Sequence, residues 1–349
     1  MSVFSHPEYD AHEHVAYHQD PVTGLKAIIA VHSTRLGPGL GGCRMWPYGS
    51  DAEALTDVLR LSRGMTYKAA LAGLPQGGGK SVIIGDSRKD KTPELMRAMG
   101  RFVNNLGGAY IAAEDSGTSV ADVRLMAEQT PHVGGLADEH AQASGRTGDP
   151  SPATAYGTFV GLKAAVKFQL GRDDLKGLRV AIQGVGNVGY RLAQYLHEAG
   201  AQLWVTDIHG PAVERCVQEF GATAVSMERI FGVEAEVFAP CALGAILNDF
   251  TIPEIKARVI AGAANNQLLQ PRHGQVLLER GVLYAPDYAI NAGGIIEIYH
   301  ETHGYDEVKA KAHLDRIGDT LTAIFQRSKD ENRPTGAVAD RMAEEIFRR

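Results

Sequence analysis

Cysteine is scarce in this chain of 349 residues, which also lacks a net positive charge and long apolar runs. Its three cysteines, Cys43, Cys216 and Cys241, form no CxxC and stand far apart, which is typical of reduced thiols in the cytoplasm. The formal net charge of −6 argues against nucleic-acid binding, since nucleic-acid-binding domains usually carry a basic patch. No apolar run approaches the roughly 20 residues that span a bilayer, and the polar start MSVFSHPEYDAHEH is neither a signal peptide nor a transit peptide. We therefore expect a soluble cytoplasmic protein without nucleic-acid or membrane partners.

Familiar metal-binding and hydrolytic motifs are missing as well. Neither an HExxH nor a GxSxG occurs, and the cluster His12, His14 and His18 lies in a segment that we expect to be a mobile terminus. The stretch GGGKS at 77–81 resembles a phosphate-binding P-loop, but Leu74 stands where that motif needs glycine, and the stretch follows a helix pattern. We expect neither a metal site nor a P-loop.

Glycine is the residue in excess. The chain has 40 glycines, where average usage of about 7% would give roughly 24. No collagen period or Gly/Ser linker accounts for them. We expect many of them to mark tight turns or places where the backbone approaches a ligand.

Strand and helix patterns alternate along almost the whole chain, which predicts an α/β fold with two domains flanking a cleft. Residues 1–135, with 331–349 folding back, are expected to form an N-terminal α/β domain. A stretch rich in Gly, Ser and Pro at 143–152 predicts the boundary. Residues 150–330 have the pattern of a Rossmann-type, doubly wound parallel sheet. The main elements predicted in the first domain are strands at 25–33, 81–86 and 109–115 and a helix at 51–72.

A dinucleotide-binding fingerprint opens the second domain. Its sequence, Gly184-Val185-Gly186-Asn187-Val188-Gly189, directly follows an apolar strand and begins a helix, and Asp207 comes 18 residues after Gly189. The glycines would let the backbone approach a pyrophosphate at the helix N-terminus. Asp207 would accept from ribose hydroxyls and repel a 2′-phosphate, which favours NAD over NADP. A βαβ unit that uses these glycines for packing alone is the alternative.

Two lysines and a carboxylate are the candidates for catalysis. Lys68 lies in MTYKAALA among small apolar residues, and Lys80 follows three glycines. Desolvation and a second ammonium nearby lower the pKa of a lysine in general, so one of the pair could serve as a general base while the other binds a carboxylate. Asp115 follows a predicted strand, where the sites of α/β proteins gather. The alternatives are surface lysines and an Asp115 that only caps a helix.

Several blocks of sequence, in order, resemble the glutamate/leucine/phenylalanine/valine dehydrogenases, and most of all the members that act on leucine. The resemblance runs nearly end to end and is carried by LKAIIAVHSTRLGPGLGGCRMWPY, RGMTYKAALAGLPQGGGKSVIIGD, YIAAEDSGT, GDPSPATAYG, GVGNVG, FAPCALGAILNDFTIP, VIAGAANNQL and YAPDYAINAGG. It implies reversible oxidative deamination, in which an L-amino acid, NAD and water give a 2-oxo acid, ammonium and NADH.

The resemblance also implies roles for individual residues. Lys80 matches the family's general base, Lys68 the lysine that binds the substrate carboxylate, and Asp115 the acid that passes a proton to the leaving ammonia. Asn265 matches the residue between substrate and nicotinamide, and Asn291 the one that faces the carboxamide. The positions that match cofactor contacts are Arg44, Thr154, Gly184, Val185, Gly186, Asn187, Val188, Gly189, Tyr190, Asp207, Ile208, Cys241, Ala242, Asn265 and Asn291.

The residues expected around the substrate side chain are apolar or small: Leu40, Gly41, Ala113, Ile295 and Ile298. Glutamate-specific members have lysine at the position of Leu40 and serine at that of Ile298, so a glutamate side chain here would leave an unpaired buried charge costing several kcal/mol. This pattern predicts branched-chain aliphatic substrates: leucine, valine and isoleucine. A phenylalanine or tryptophan dehydrogenase of the same family, or a non-catalytic NAD-binding regulator, are the alternatives.

The resemblance gives the two domains their expected roles and suggests an assembly. The first would bind substrate, carry the catalytic residues and oligomerise, and the second would bind NAD. The expected state is a homo-oligomer, dimer or octamer. Octameric members have a longer tail than this chain, which stops at Phe347-Arg348-Arg349, so a dimer is as plausible as an octamer.

Overall fold

The computed structural model of the protein describes residues 2–136 and 149–348, and the chain divides into two compact units. The first comprises Met1–Asp149, Ile298–Tyr305 and Ala343–Arg349, and the second Pro150–Glu297 and Asp306–Met342. These boundaries differ from the expected ones at the C-terminal end, because residues 331–342 belong to the second unit and Ile298–Tyr305 to the first. Among the described residues, no helix combines the length and apolar character needed to cross a membrane.

The first unit is built on a five-stranded mixed sheet with the strand order β1-β2-β4-β3-β5. Strands β3, β4 and β5 are parallel, whereas β2 runs antiparallel to both β1 and β4. The strands are β1 His14–Asp20, β2 Leu25–Ser33, β3 Gly39–Trp46, β4 Gly77–Ile84 and β5 Tyr110–Glu114. The helices are α1 Asp51–Leu71, α2 Pro93–Asn104 and α3 Val120–Ala127, and a short 3-10 helix spans Val3–Ser5.

The apolar run of β2 is continuous because helices cover both faces of the sheet. On one face Ile28 packs with Val58 and Leu59 of α1. On the other face Ile29 packs with Met99 of α2 in a larger cluster. A strand buried on both sides needs apolar residues at every position, which is why the pattern at 25–33 lacks the usual alternation.

Strand β4 begins four residues earlier than predicted, and β1 and β3 were not predicted at all. The expected start at residue 81 was wrong because glycine has low strand propensity. Here the glycines are needed for close packing: a Cβ on Gly78 would overlap the backbone nitrogen of Thr66 in α1, and one on Gly41 would overlap the carbonyl of Gly79. The expected mobile terminus is also wrong for His12, which is buried and hydrogen-bonded to Leu59 O at 3.0 Å.

The second unit contains a six-stranded, fully parallel sheet with the order β11-β10-β9-β6-β7-β8, which confirms the doubly wound fold. The strand order reverses between β6 and β9, and ligands of such sheets bind at this switch point. The strands are β6 Arg179–Gln183, β7 Gln202–Thr206, β8 Thr223–Ala224, β9 Val237–Pro240, β10 Val259–Ile260 and β11 Leu283–Tyr284. The helices that follow residue 150 are α4 Ser151–Leu170, α5 Asn187–Glu198, α6 Gly210–Phe220, α7 Arg272–Glu279, α8 Asp287–Ile290, α9 Gly293–Thr302, α10 Glu307–Glu331 and α11 Thr335–Phe347, with a 3-10 helix at Ile252–Glu254. The last residues of α9, from Ile298, and of α11, from Ala343, are assigned to the first unit.

Candidate active site

Lys80 and Asp115 form an ion pair in the first unit. Lys80 lies in the middle of β4, and Asp115 directly follows β5, two strands away in the sheet. Their side chains are only 9% and 17% exposed. The glycine of β3 that lies beside this pair has no room for a side chain, because a Cβ on Gly42 would be 2.6 Å from the Cβ of Asp115. The sheet therefore brings together the two residues predicted to carry the chemistry.

A short turn fixes the Asp115 carboxylate. Oδ1 accepts from Ser116 N at 2.7 Å, and the Asp115 N–H donates to Thr118 Oγ1 at 3.0 Å. Helix α3 is capped by Ser119, whose side chain accepts from Asp122 N within a capping box. Asp115 is therefore not the helix cap, and its carboxylate faces the cations of β3 and β4.

Arg44 is the second cation at this carboxylate. Its Nε lies 3.5 Å from Asp115 Oδ2, the same oxygen that Lys80 contacts. Burial alone would raise the pKa of Asp115, but the attraction of Lys80 and Arg44 outweighs burial and lowers it to about 2. Asp115 is thus a carboxylate at neutral pH, able to accept a proton. Sequence reasoning assigned Arg44 to the cofactor, whereas the contacts here are to acids of the first unit.

Lys68 lies in the last turn of α1, half-buried. The helix packs closely against β4, where Thr66 lies against Gly78. Lys68 follows Thr66 by two residues in the helix, and Lys80 follows Gly78 by two residues in the strand. The two predicted lysines therefore lie on elements that pack against each other.

An aliphatic cluster lies on the face of the sheet that carries Lys80. Leu40 is paired with Gly78 in β4 and with Ile111 in β5, so strand alternation puts Leu40, Ile111 and Lys80 on one face. A Cβ on Gly134 would lie 3.3 Å from Ile298 Cγ2, 3.6 Å from Ile111 Cγ2 and 3.7 Å from Leu40 Cδ1. These four residues define what we call the aliphatic cluster.

Not every residue predicted for the side-chain pocket takes part in this cluster. Ala113 is buried two residues after Ile111 on the same strand, and the carbonyl of Gly41 accepts from Tyr110 Oη at 2.8 Å. Ile295 is buried in the second unit. Sequence reasoning missed Ile111, although its spacing from Ala113 in a strand was a usable signal, and missed Gly134, for which the sequence carries none.

The glycine fingerprint of the second unit occupies the end of β6 and the start of α5. Gly184 has a φ of +94°, and a Cβ there would be 2.7 Å from Ala242 Cβ, so both conformation and space demand glycine. Gly189 lies against the carbonyl of Gly184. Gly186, by contrast, faces open space, with nothing within 4 Å of a Cβ. No side chain of the described ranges caps α5, which leaves its N-terminal amides available to an anion.

Asp207 is fixed at the end of β7 beside this turn. Its Oδ2 accepts from Val185 N at 2.7 Å and its Oδ1 from His209 N at 2.9 Å. The neighbouring Ile208 is 90% exposed, which leaves an apolar surface next to the carboxylate. Tyr190 faces the other way, since its hydroxyl donates to Glu219 of α6.

The two predicted asparagines are hydrogen-bonded to each other. Asn291 Nδ2 donates to Asn265 Oδ1 at 2.7 Å and to Ala263 O at 3.0 Å. Asn291 is buried, and its Oδ1 accepts no hydrogen bond from the described residues. A buried acceptor without a donor is costly, and the N–H of a carboxamide would satisfy it. This oxygen, and the open space beside Gly186, fit a nicotinamide adenine dinucleotide.

The remaining cofactor positions are polar or small residues of the second unit. Thr154 Oγ1 donates to Pro150 O at 2.9 Å, and Cys241 is partly buried, with a pKa raised to about 12 by that burial. Asn187 and Ala242 are exposed and Val188 half-exposed. No group of three His, Cys, Asp or Glu within the described ranges is placed to hold a metal ion.

Comparison with known proteins places the whole chain in one family. Residues 8–132 match the family model described as "Glu/Leu/Phe/Val dehydrogenase, dimerisation domain", and residues 145–215 and 209–339 match "Glutamate/Leucine/Phenylalanine/Valine dehydrogenase". Leucine dehydrogenase of Geobacillus stearothermophilus is 54% identical over 99% of this chain and 93% of its own length. Leucine dehydrogenase of Bacillus subtilis is 49% identical over 100% and 95%.

Relatives with other substrate names are somewhat less similar. Phenylalanine dehydrogenase of Caldalkalibacillus thermarum is 46% identical over 99% of this chain and 94% of its own. The crystal structure of L-tryptophan dehydrogenase from Nostoc punctiforme superposes with a TM-score of 0.84, at 45% identity, over 97% of this chain and 96% of that one. Enzymes of this family are dehydrogenases that use a nicotinamide cofactor. The chain belongs to the Glu/Leu/Phe/Val dehydrogenase family and is an amino-acid dehydrogenase.

Proposed function

We propose that the protein catalyses the reversible, NAD-dependent oxidative deamination of branched-chain aliphatic L-amino acids, leucine, valine and isoleucine. The observation that carries this proposal is the buried Lys80–Asp115 pair on the same sheet face as the aliphatic cluster. A proton-transfer pair beside an apolar pocket suits an amino acid with an aliphatic side chain. The similarity to leucine dehydrogenases, at 54% and 49% identity, supports the same substrate class.

Each charged residue has a distinct task in the proposed mechanism. The Lys68 ammonium binds the substrate carboxylate. Lys80 takes a proton from the substrate ammonium and passes it to Asp115, and the amine so restored takes a second proton from the water that attacks the iminium carbon. Asp115, in contact with Lys80, passes a proton to the ammonia that leaves. NAD held by the Gly184–Gly189 turn and Asp207 would supply the hydride acceptor for this oxidation.

Selection against acidic substrates follows from the same cluster. Leu40, Ile111 and Ile298 offer no partner to a carboxylate, so a glutamate side chain would be desolvated without compensation. The pocket cannot separate leucine from valine or isoleucine strongly, because one methylene changes binding by about 1–3 kcal/mol. Phenylalanine or tryptophan remains the second candidate, supported by the relatives that carry those names at 46% and 45% identity.

The choice of NAD over NADP rests on Asp207. With its orientation fixed by Val185 and His209, the carboxylate can accept from ribose hydroxyls and would repel a 2′-phosphate. Exposed Ile208 and Ala242 would lie beside the nucleotide, and Asn265 and Asn291 beside the nicotinamide end.

Two proposals concern the protein in the cell. The three free cysteines support a reducing compartment, the cytoplasm. The family description of residues 8–132 as a dimerisation domain supports a homo-oligomer, dimer or octamer.

A substrate panel combined with one variant tests the function. NADH formation is measured with leucine, valine, isoleucine, phenylalanine, tryptophan and glutamate, and we expect the three branched-chain substrates to give the highest kcat/KM.

Lys80→Ala should lower kcat by about 10²–10⁴-fold, as for the loss of a general base, and leave NADH binding, followed by fluorescence titration, intact. The control is Lys89→Ala, since Lys89 is exposed and forms an ion pair with Asp86 on the surface. Near-normal turnover by Lys80→Ala would refute the general-base assignment, and a preference for phenylalanine or tryptophan would select the second candidate.

A further inference from the structure

We propose that Asp57 is a positioning residue for the reacting pair: it holds the Arg44 guanidinium so that Lys80 keeps its contact with Asp115, and Tyr48 in turn holds Asp57. The inference rests on the proposed function, since it takes Lys80 and Asp115 as the groups that exchange protons. Within the described residues, the hydrogen bonds of Asp57 are to Arg44 and Tyr48, and the ion pairs of Asp115 are to Lys80 and Arg44. The effect of Asp57 and Tyr48 runs through Arg44.

The Arg44 guanidinium lies between two carboxylates. Its Nη1 donates to Asp57 Oδ2 at 2.9 Å, whereas its Nε lies 3.5 Å from Asp115 Oδ2. The Tyr48 hydroxyl donates to the same Asp57 oxygen at 2.6 Å. The shorter contact is therefore to Asp57, and that carboxylate is itself fixed by a second donor.

The position of Arg44 matters because two cations compete for one oxygen of Asp115. Lys80 Nζ and Arg44 Nε both approach Asp115 Oδ2. A guanidinium has five N–H donors and readily binds a carboxylate with two of them, so an unrestrained Arg44 would close on Asp115 and displace Lys80. By drawing the guanidinium towards α1, Asp57 keeps Arg44 at the longer distance. The Lys80–Asp115 contact, along which the proton would move, is thereby preserved.

Burial makes the arrangement more than a surface ion pair. The side chains of Arg44 and Asp57 are 24% and 29% exposed, and burial together with the hydrogen bond to Asp57 raises the pKa of Tyr48 far above its usual range. Tyr48 thus stays a donor at any working pH. The charges that face Asp115 come from β4 through Lys80, from β3 through Arg44 and, behind Arg44, from α1 through Asp57. Together with Asp115 itself, these groups make two cations and two anions.

The primary variant is Asp57→Asn, which keeps the shape and removes the charge. We expect kcat for leucine to fall about tenfold, which corresponds to about 1.4 kcal/mol, with KM for leucine nearly unchanged. Because the neutral amide no longer offsets Arg44, the site gains positive potential, and the pH profile of kcat/KM should move to lower pH. The matched control is Asp51→Asn, which removes a carboxylate of the same helix whose partner is the exposed Lys26. Asp51→Asn should keep wild-type values.

A double-mutant comparison shows whether Asp57 acts through Arg44. In an Arg44→Ala background, Asp57→Asn should cause no further loss of kcat, because the group it positions is gone. The proposal would be overturned if the losses of kcat from Arg44→Ala and Asp57→Asn multiplied in the double variant. A kcat for Asp57→Asn equal to that of Asp51→Asn would overturn it as well. If Asp57→Asn fails to fold, Tyr48→Phe decides: a reduced kcat at an unchanged Tm supports the positioning role, and a wild-type kcat overturns it. Near-normal turnover by Lys80→Ala would instead refute the general-base assignment of the proposed function, so the two failures are distinguishable.

Discussion

A buried histidine in the first unit should make the stability of the protein depend on pH. His32 is 4% exposed; its Nδ1 lies 2.8 Å from Thr66 Oγ1 and its Nε2 3.5 Å from Asp10 Oδ2. The rings of His12 and Phe347 pack against it, with centroids 5.0 Å and 5.9 Å away. Replacing His32 by asparagine keeps a polar group near Thr66 but removes the group that titrates.

The magnitude follows from the surroundings of the ring. Burial is the largest cause and, with the neighbouring His12, lowers the pKa of His32 from 6.5 to about 4, although Asp10 opposes the change. The unfolded chain therefore binds a proton that the folded chain refuses. The stability contributed by neutral His32 is fully present above pH 6.5 and is lost as the pH falls towards 4. At pH 4.5 the loss amounts to roughly 2–3 kcal/mol, from about 1.4 kcal/mol per pKa unit.

Urea unfolding at pH 7.5 and pH 4.5 measures this loss. We expect the free energy of unfolding to fall by roughly 2–3 kcal/mol more in the wild type than in His32→Asn over this interval. His14→Asn, a change to an exposed histidine of β1, is the control and should keep the wild-type dependence. If His32→Asn and the wild type lose stability in parallel, His32 is not the group responsible, and the reasoning from burial fails.

The glycines of the two sites give further predictions. Gly134→Ala places a methyl group 3.3 Å from Ile298 Cγ2, so the ratio of kcat/KM for leucine to that for valine should fall about tenfold; an unchanged ratio would remove Gly134 from the pocket. Gly184→Ala should lower Tm clearly, because φ is +94° and the new Cβ meets Ala242 at 2.7 Å. Gly186→Ala should leave Tm unchanged, since its surroundings are open, yet raise KM for NAD because the methyl enters the space for the pyrophosphate. Wild-type NAD binding by Gly186→Ala would contradict that assignment.

The architecture could be predicted wherever apolar residues recur without glycine. The run at 25–33 and the helix at 51–72 correspond to β2 Leu25–Ser33 and α1 Asp51–Leu71 because burial on one or both faces leaves a visible pattern. Strand β3 Gly39–Trp46 escaped prediction, since three of its first four residues are glycines that read locally as a turn. These glycines lie in a strand because they pack against neighbouring strands and near α1. A short stretch of sequence around them contains no information about those contacts.

The site, too, has a part that the sequence predicts and a part that depends on tertiary packing. Lys80 and Asp115 could be proposed from their chemistry, and the structure pairs them. The contacts of Arg44 with Asp57 and of Gly134 with Ile298 were missed, because they join residues 13 and 164 positions apart in the sequence through tertiary packing. The effect of a residue's charge or size at such positions can be judged only once its partners in the folded protein are known.

The discontinuity of the first unit limits how the protein can be recombined with its relatives. Residues Met1–Asp149 do not complete that unit, which also takes in Ile298–Tyr305 and Ala343–Arg349. A chimaera joined once near residue 150 would therefore receive Ile298 of the aliphatic cluster and Phe347 beside His32 from the other parent. Exchanging an intact unit requires four junctions, at 149/150, 297/298, 305/306 and 342/343. Substrate preference should accordingly be inherited from both parents of a single-crossover hybrid, not from its N-terminal parent alone.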